Sequence, residues 1–382
     1  MKIAMFTDSF LPGIGGTENV VLKLAQILSE EHEVMVFAPS YHKPYEEKLN
    51  LPFKVARTFS IQTSKNDFWA HPKLTKGFRK KVDEFCPDVI HTHTLGMMAD
   101  YANAYGKKHN IPVICTVHTK YAYCYKYAAK FDFIVKILLN RVIKRAQNAD
   151  FVTSVSYSMI PELVSYGLNK DVTVIKNGID RHCDKGFVRA EKNDKFTIIY
   201  IGTIIDYKNL GFSLKALAQL KKKTSDFVFY MVGRGPHERK FRRMIKKLGL
   251  TDNVVMTGAI TDREKLYKIV TSADICLFTS IFDNDSLVLL ECADAGIPVM
   301  VLKDTGSSER IKDGHNGFIV ENDERAVADK LFELMDKRDY LREIGSNGCG
   351  KLVSWKEAVK EYEKVYQDLT NKKQQQVAVT KE

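Results

Sequence analysis

Residues 2–38 read KIAMFTDSFLPGIGGTENVVLKLAQILSEEHEVMVFA. The first five form an apolar run of strand length, and a glycine-rich loop follows them. From 18 to 30 the apolar residues recur at helical spacing, and 33–38 is a second strand-like run. Strand, helix and strand in quick succession predict a parallel sheet whose crossovers are helices. The pattern continues with runs at 89–93, 113–117 and 151–155 and a helical segment at 74–85. A second series of runs occupies 196–201, 227–232, 253–257, 275–279, 299–302 and 318–320. Between the two series, 177–194 is polar, lacks an apolar run and holds Gly178 and Gly186, which predicts a domain boundary. The expected fold class is α/β, with two doubly wound domains at 1–178 and 195–354. A ligand is expected at the carboxyl ends of the strands, in the cleft between the halves. Residues 355–370 carry a helical pattern with Val359, Tyr362, Val365 and Tyr366 on one face. The Gln-rich segment 371–382 has no apolar face and is expected to be disordered.

A chain of 382 residues accommodates two to three domains of ordinary size. Its apolar share of 45% and charged share of 27% exclude wholesale disorder. The seven cysteines are odd in number, lack a C-x-x-C pair and in several cases sit inside apolar stretches. Free buried thiols are expected, and a zinc or disulfide scaffold is not. No run reaches transmembrane length, and residues 1–6 do not read as a signal peptide, so a cytoplasmic or peripheral location is expected. The net charge of +11 favours anionic partners, the plain alternative being solubility. No nucleic-acid reader motif accompanies that charge, so nucleic acid is not an expected partner.

Three features carry the chemistry. Gly15 and Gly16 open the first helix, where backbone N–H groups and the helix dipole suit a phosphate; a bare tight turn is the alternative. The loop fits neither G-x-G-x-x-G nor the P-loop. In the second half, Gly202-Thr203, Lys208-Asn209 and Gly233-Arg234-Gly235-Pro236 follow successive strands. Two cations with glycines at strand ends suit an anion. Asp283 lies in a loop, and Glu291 follows eight residues later inside an apolar helical run. A carboxylate among Leu and Val needs partners, and sugar or ribose hydroxyls supply them.

Taken together, these features resemble family 4 of the retaining glycosyltransferases, which includes bacterial cell-envelope and glycolipid enzymes. The resemblance runs from Lys2 to about Tyr366 and takes in Thr116-Val117-His118-Thr119, Val174-Ile175-Lys176-Asn177-Gly178-Ile179-Asp180 and Ser272-Ala273-Asp274. It implies the GT-B fold: two Rossmann-like domains facing across a cleft, the first taking the acceptor and the second the nucleotide-sugar. The C-terminal helix would return to the first domain. By the same resemblance, the catalytic residues are His118, Asp283 and Lys208. Gly15 and Gly16 would meet the pyrophosphate, which Lys208 neutralises. Gly202, Thr203 and Arg234 complete the phosphate side, and Gly258 and Ile260 flank the base. Asp283, Ser286 and Leu287 would meet the sugar, and Glu291 the ribose. No cofactor or metal is expected, because Lys208 and helix N-termini act on the departing diphosphate. The chain departs from the family where Asp283 replaces Glu, Asp285-Ser286 replaces Phe-Gly, and Thr203 replaces Arg.

The expected function is transfer of a sugar, with retention, from a nucleotide-sugar, UDP-linked by expectation, to a membrane lipid or lipid-linked glycan. The acceptor reading rests on a basic, aromatic strip in 120–147. Lys120, Lys126, Lys130, Lys136, Arg141, Lys144 and Arg145 are interleaved there with Tyr121, Tyr123, Tyr125, Tyr127, Phe131, Phe133, Ile137 and Leu138. Lys73, Lys76, Arg79 and Lys80 form a second basic face, and together they suit the inner, anionic face of a membrane. The alternative is that the aromatics pack on the core. Two rival functions remain: a sugar-nucleotide 2-epimerase of similar fold, disfavoured by the Asp283-x7-Glu291 spacing, and a non-catalytic nucleotide-sugar-binding protein.

Overall fold

The apolar runs become strands buried on both faces, and parallel pairing follows because helices cover each face. The computed structural model describes residues 1–13, 15–41, 50–62, 68–128, 131–185, 193–260 and 262–379; Lys130, Gly186 and 380–382, named above, lie outside them. The chain divides into two units, Met1–Gly178 with Trp355–Glu382, and Ile179–Ser354.

In the first unit the elements are β1 (Lys2–Phe6), α1 (Gly16–Leu28), β2 (Glu33–Pro39), β3 (Lys54–Thr58), β4 (Ser60–Gln62), β5 (Phe68–Ala70), α2 (Phe78–Phe85), β6 (Val89–Thr92) and α3 (Met97–His109). There follow β7 (Val113–Val117), α4 (Tyr121–Ala128), α5 (Asp132–Asn148), β8 (Phe151–Ser154), α6 (Met159–Ser165) and β9 (Val172–Val174). Seven parallel strands run in the order β3-β2-β1-β6-β7-β8-β9, and β4-β5 is a separate antiparallel pair. The topology reverses between β1 and β6.

The second unit holds β10 (Phe196–Ile201), α7 (Leu210–Lys221), β11 (Phe227–Val232), α8 (Glu238–Lys247), β12 (Val254–Gly258) and α9 (Arg263–Ser272). It continues with β13 (Ile275–Phe278), α10 (Leu287–Asp294), β14 (Val299–Leu302), β15 (Gly317–Val320), α11 (Glu324–Leu334) and α12 (Arg338–Asn347). Its six parallel strands run β12-β11-β10-β13-β14-β15, so this sheet reverses between β10 and β13. Each sheet therefore has one switch point, the place where open α/β sheets bind ligands.

Four expectations need correction. The helix read over 74–85 is split by Gly77, which adopts a left-handed φ of 78° and leaves a short turn at Pro72–Leu74 before α2. The segment 371–382 is not disordered through 379, because α13 (Trp355–Val379) continues across it. Gln and Lys are good helix formers, and Lys373 pairs with Asp150 of the first unit at 3.1 Å. The cysteines are not all free: Cys183 and Cys349 form a disulfide, their Cα atoms 6.3 Å apart across 166 residues. The Ile179 N–H donates to the Val353 carbonyl at 2.9 Å, so the first and last segments of this unit meet and bring the two thiols together. The free Cys115, Cys276 and Cys292 are buried, as read from their apolar settings. Finally, the 120–147 strip is not one exposed face. The Tyr121 hydroxyl accepts the Leu95 N–H at 2.9 Å, and Arg145 turns inward to the Leu95 carbonyl and Asp100. Helical periodicity explains this, since every third or fourth residue must face the sheet.

Candidate active site

The second unit collects its polar residues at the switch point. Lys208 and Asp283, 75 residues apart in the chain, form an ion pair across it at 2.5 Å. The Asn209 amide donates to the Thr279 carbonyl at 3.1 Å, and Ser213 and Thr279 share a hydroxyl contact of 2.6 Å. These bonds fasten the loop after β10 to the loop after β13. Among the described residues Asp283 Oδ2 is buried without a partner, so half of this carboxylate remains available as an acceptor. The Lys208 ammonium also lies 5.8 Å and 5.9 Å from the Tyr207 and Phe282 rings.

Three glycines line the neighbouring strand ends. Gly202 N–H donates to the Val232 carbonyl at 3.0 Å, and Gly233 N–H donates to that of Gly258 at 2.9 Å. A Cβ at Gly233 would stand 1.9 Å from the Gly202 carbonyl oxygen, and its φ of 145° disfavours any side chain. The backbone ends of β10, β11 and β12 are thus packed directly on one another. Arg234 is exposed beside Gly258, and among the described residues it has no carboxylate partner. Thr203 is exposed, and Ile260 is half-buried and packs against the apolar core.

The third loop ends in α10. Ser286 is its N-cap residue, Leu287 its first, and Glu291 is half-buried between the buried Leu290 and Cys292. Asp285, at the position where the sequence departs from Phe, is 3% exposed and takes a two-pronged ion pair from Arg310, which follows β14. Lys208 and Arg310 therefore hold the 283–286 loop from its two sides.

In the first unit, Gly15 is the N-cap of α1 and Gly16 its first residue, with Glu18 in the first turn. His118 follows β7 and stacks on His93, the Nδ1 of His93 lying 3.2 Å from the Nε2 of His118. Burial pushes the His118 pKa down to about 4, and that of His91 to about 3, so both are neutral at pH 7. Burial lowers His93 as well. Asp8 was not singled out in the sequence, yet it spans the switch point. Its carboxylate accepts from Thr94 Oγ1 at 2.7 Å, Gly96 N–H at 3.0 Å and Met98 N–H at 3.1 Å, fastening β1 to the start of α3. Burial raises its pKa, against the pull of those bonds. The signal that points to Asp8 is its place directly after the first strand. His93 and Arg310 were missed too, since their roles depend on partners 25 residues away.

On the surface, Lys73 and Lys76 are exposed, while Arg79 and Lys80 pair with Asp83 and Glu84 one helical turn on. Lys120 is half-buried and Lys126 exposed.

Comparison with known proteins agrees with both halves. Residues 14–182 match the model described as Glycosyltransferase Family 4, and 184–350 match Glycosyl transferases group 1. The chain belongs to the family 4 glycosyltransferases. An alpha-monoglucosyldiacylglycerol synthase of Acholeplasma laidlawii is 24% identical, over 97% of this chain and 98% of that protein. A GDP-mannose-dependent alpha-mannosyltransferase of Corynebacterium glutamicum is also 24% identical, over 84% and 77%. Anabaena HepE, solved with UDP, superposes with a TM-score of 0.76 at 19% identity, over 96% of this glycosyltransferase and 100% of that chain. The fold is thus GT-B, with two Rossmann-like sheets.

Proposed function

We propose that this glycosyltransferase moves a sugar, with retention, from a UDP-sugar to a membrane lipid or lipid-linked glycan. The observation that carries the reading is the Lys208–Asp283 pair across the switch point, beside the close-packed glycines Gly202, Gly233 and Gly258. A cation and a half-free carboxylate 2.5 Å apart suit a diphosphate next to a sugar hydroxyl. Lys208 and Arg234 then stabilise the departing diphosphate without a metal, while Asp283 orients the sugar. The diphosphate itself takes the acceptor proton. HepE structures containing UDP and UDP-glucose favour the uridine donor. Incubation with UDP-glucose and a diacylglycerol or monoglucosyl lipid acceptor, followed by proton NMR, tests the whole reading. An α-linked product is expected, and a β-linkage overturns retention. Activity should persist in EDTA.

Glu291 is read as the ribose partner. Glu291→Ala should weaken UDP binding by about 1–3 kcal/mol, the ordinary loss for hydrogen bonds to a charged group. Calorimetry with UDP checks this, and an unchanged affinity removes Glu291 from the donor site.

The lipid acceptor is supported by two exposed apolar faces flanked by lysines. On the β4-β5 hairpin, Ile61 pairs with Trp69, and the residue two before Ile61, Phe59, shares their face. These large side chains point to solvent, Trp69 being 65% exposed, whereas the small Ser60 and Ala70 face inward. Leu74, 70% exposed, stands beside Lys73 and Lys76. On α5, Phe133 and Ile137 are exposed with Lys136, Arg141 and Lys144. Rings at the interface with cations on headgroups are the pattern of peripheral membrane contact. No helix among the described residues is long and apolar enough to cross a membrane. Trp69→Ser with Leu74→Ser should lower co-sedimentation with anionic vesicles at fixed salt, and Lys73→Ser with Lys76→Ser should lower its salt dependence. Equal binding to neutral and anionic vesicles returns the charge to solubility.

A further inference from the structure

We infer that the Cys183–Cys349 pair is a reversible redox clamp on α10, closed by exchange with a small-molecule disulfide, and that closing it raises donor affinity. The inference rests on the proposed function, because it takes Glu291 of α10 as a donor contact.

Two segments from opposite ends of the second unit pack on α10, and the disulfide joins them. The first is 179–183. Asp294, three residues after Glu291 and 3% exposed, accepts the His182 N–H at 2.6 Å and the Cys183 N–H at 2.9 Å, and meets His182 Nδ1 at 2.8 Å. The second is 345–352. A Cβ at Gly345 would stand 2.1 Å from the Gly296 carbonyl oxygen, just beyond the helix, and one at Gly348 would stand 3.0 Å from the Cβ of Ala293. Cys183, Cys349 and Leu352 share one apolar cluster with Leu287, Leu290 and Ala293 of α10. The two sulfurs thus lie against the helix that presents Glu291. Arg181 also donates to the Leu352 carbonyl at 3.1 Å, and the Ile179 N–H to that of Val353 at 2.9 Å. These bonds keep an opened pair of thiols in reach of each other.

Cys349 is half-buried and Cys183 is 7% exposed, so the Cys349 thiolate is the one an outside disulfide reaches. Its attack forms a mixed disulfide and releases one small thiol. Cys183 gives its proton to solvent, attacks the Cys349 sulfur and expels the second. The two cysteines lose two hydrogens, and the small-molecule disulfide is reduced to two thiols. Cys276 and Cys292 of the same unit are 0% exposed and stay out of reach. Closing the pair pins both segments to each other across α10, so the helix loses freedom before the donor arrives and not on binding. Linkage is reciprocal, so bound UDP makes the closed pair harder to reduce by the same factor.

The test takes the purified protein through a series of glutathione and glutathione-disulfide mixtures, with free thiols alkylated and peptides read by mass spectrometry. A Cys183–Cys349 cross-link is expected, and dithiothreitol should remove it from the folded protein. Calorimetry with UDP should find the reduced protein weaker by about fivefold or more, the lower end of ordinary coupling between linked sites. Saturating UDP should raise the ratio of disulfide to dithiol at one glutathione mixture by that same factor. Amide hydrogen exchange in α10 should be faster in the reduced protein. Cys183→Ser with Cys349→Ser should bind UDP as the reduced protein does, with or without dithiothreitol. If that variant does not fold, the two states of the unsubstituted protein decide alone. No cross-link in any mixture, a bond that dithiothreitol leaves intact, or equal UDP affinity in the two states each overturns the inference. If neither state binds UDP, the donor reading fails, while amide exchange still judges whether the disulfide clamps α10.

Discussion

Replacing Lys208 with Ala should lower kcat/KM for the nucleotide-sugar by roughly 10²–10³, the usual cost of removing one charge-stabilising group from a water-poor site. The ammonium is 16% exposed and lies between Asp283 and two aromatic rings, so its field is screened little by water. Removing it also strands the Asp283 carboxylate, which has one oxygen unpartnered already. Asp283→Asn in the Lys208→Ala background separates the two effects: recovery of stability without recovery of turnover assigns the lost rate to the cation. Lys208→Arg keeps the charge and should retain more activity than Lys208→Ala. Turnover and UDP affinity that both stay within about twofold in Lys208→Ala would falsify the assignment of this switch point to the donor.

The largest stability effect is expected at Asp285 and Arg310. The carboxylate is 3% exposed and the guanidinium 13%, and they meet in a bidentate pair. Breaking such a pair takes its bidentate cation from a buried carboxylate, so Arg310→Leu should destabilise the protein by about 3–5 kcal/mol. The double change Asp285→Leu with Arg310→Leu removes both charges and should restore most of that loss, since buried pairs often exchange for apolar side chains at little cost. Denaturant melts of the four proteins complete the cycle. A double variant no more stable than Arg310→Leu would show that the residues act separately.

Much of the fold was legible because it is local. A strand buried on both faces must be a continuous apolar run, and residues 2–6, 113–117 and 196–201 are such runs. The weaker strands were not legible. β3 mixes charged and apolar residues, and β9 is an exposed Thr173 between two half-buried valines at the sheet edge, where burial does not dictate composition. The site was legible only as loops. Lys208 and Arg234 could be singled out because charge and glycine follow apolar strands, Asp283 because it lies in a loop, and Glu291 because a carboxylate stands inside an apolar helical run.

The sequence by itself determined the two-sheet α/β class and the positions of most strands. Those properties follow from residue-to-residue periodicity and need no knowledge of partners. Which side chains meet was decided by tertiary structure alone. Lys208 reaches Asp283 because the sheet reverses between β10 and β13, bringing together two loops that are remote in the chain. His93 reaches His118 because β6 and β7 are neighbours in register, and Asp8 reaches Gly96 because β1 lies beside β6. Cys183 reaches Cys349 because the ends of the second unit pair. Strand order is a property of the whole packed sheet, so neither the spacing nor the chemistry of one segment encodes it.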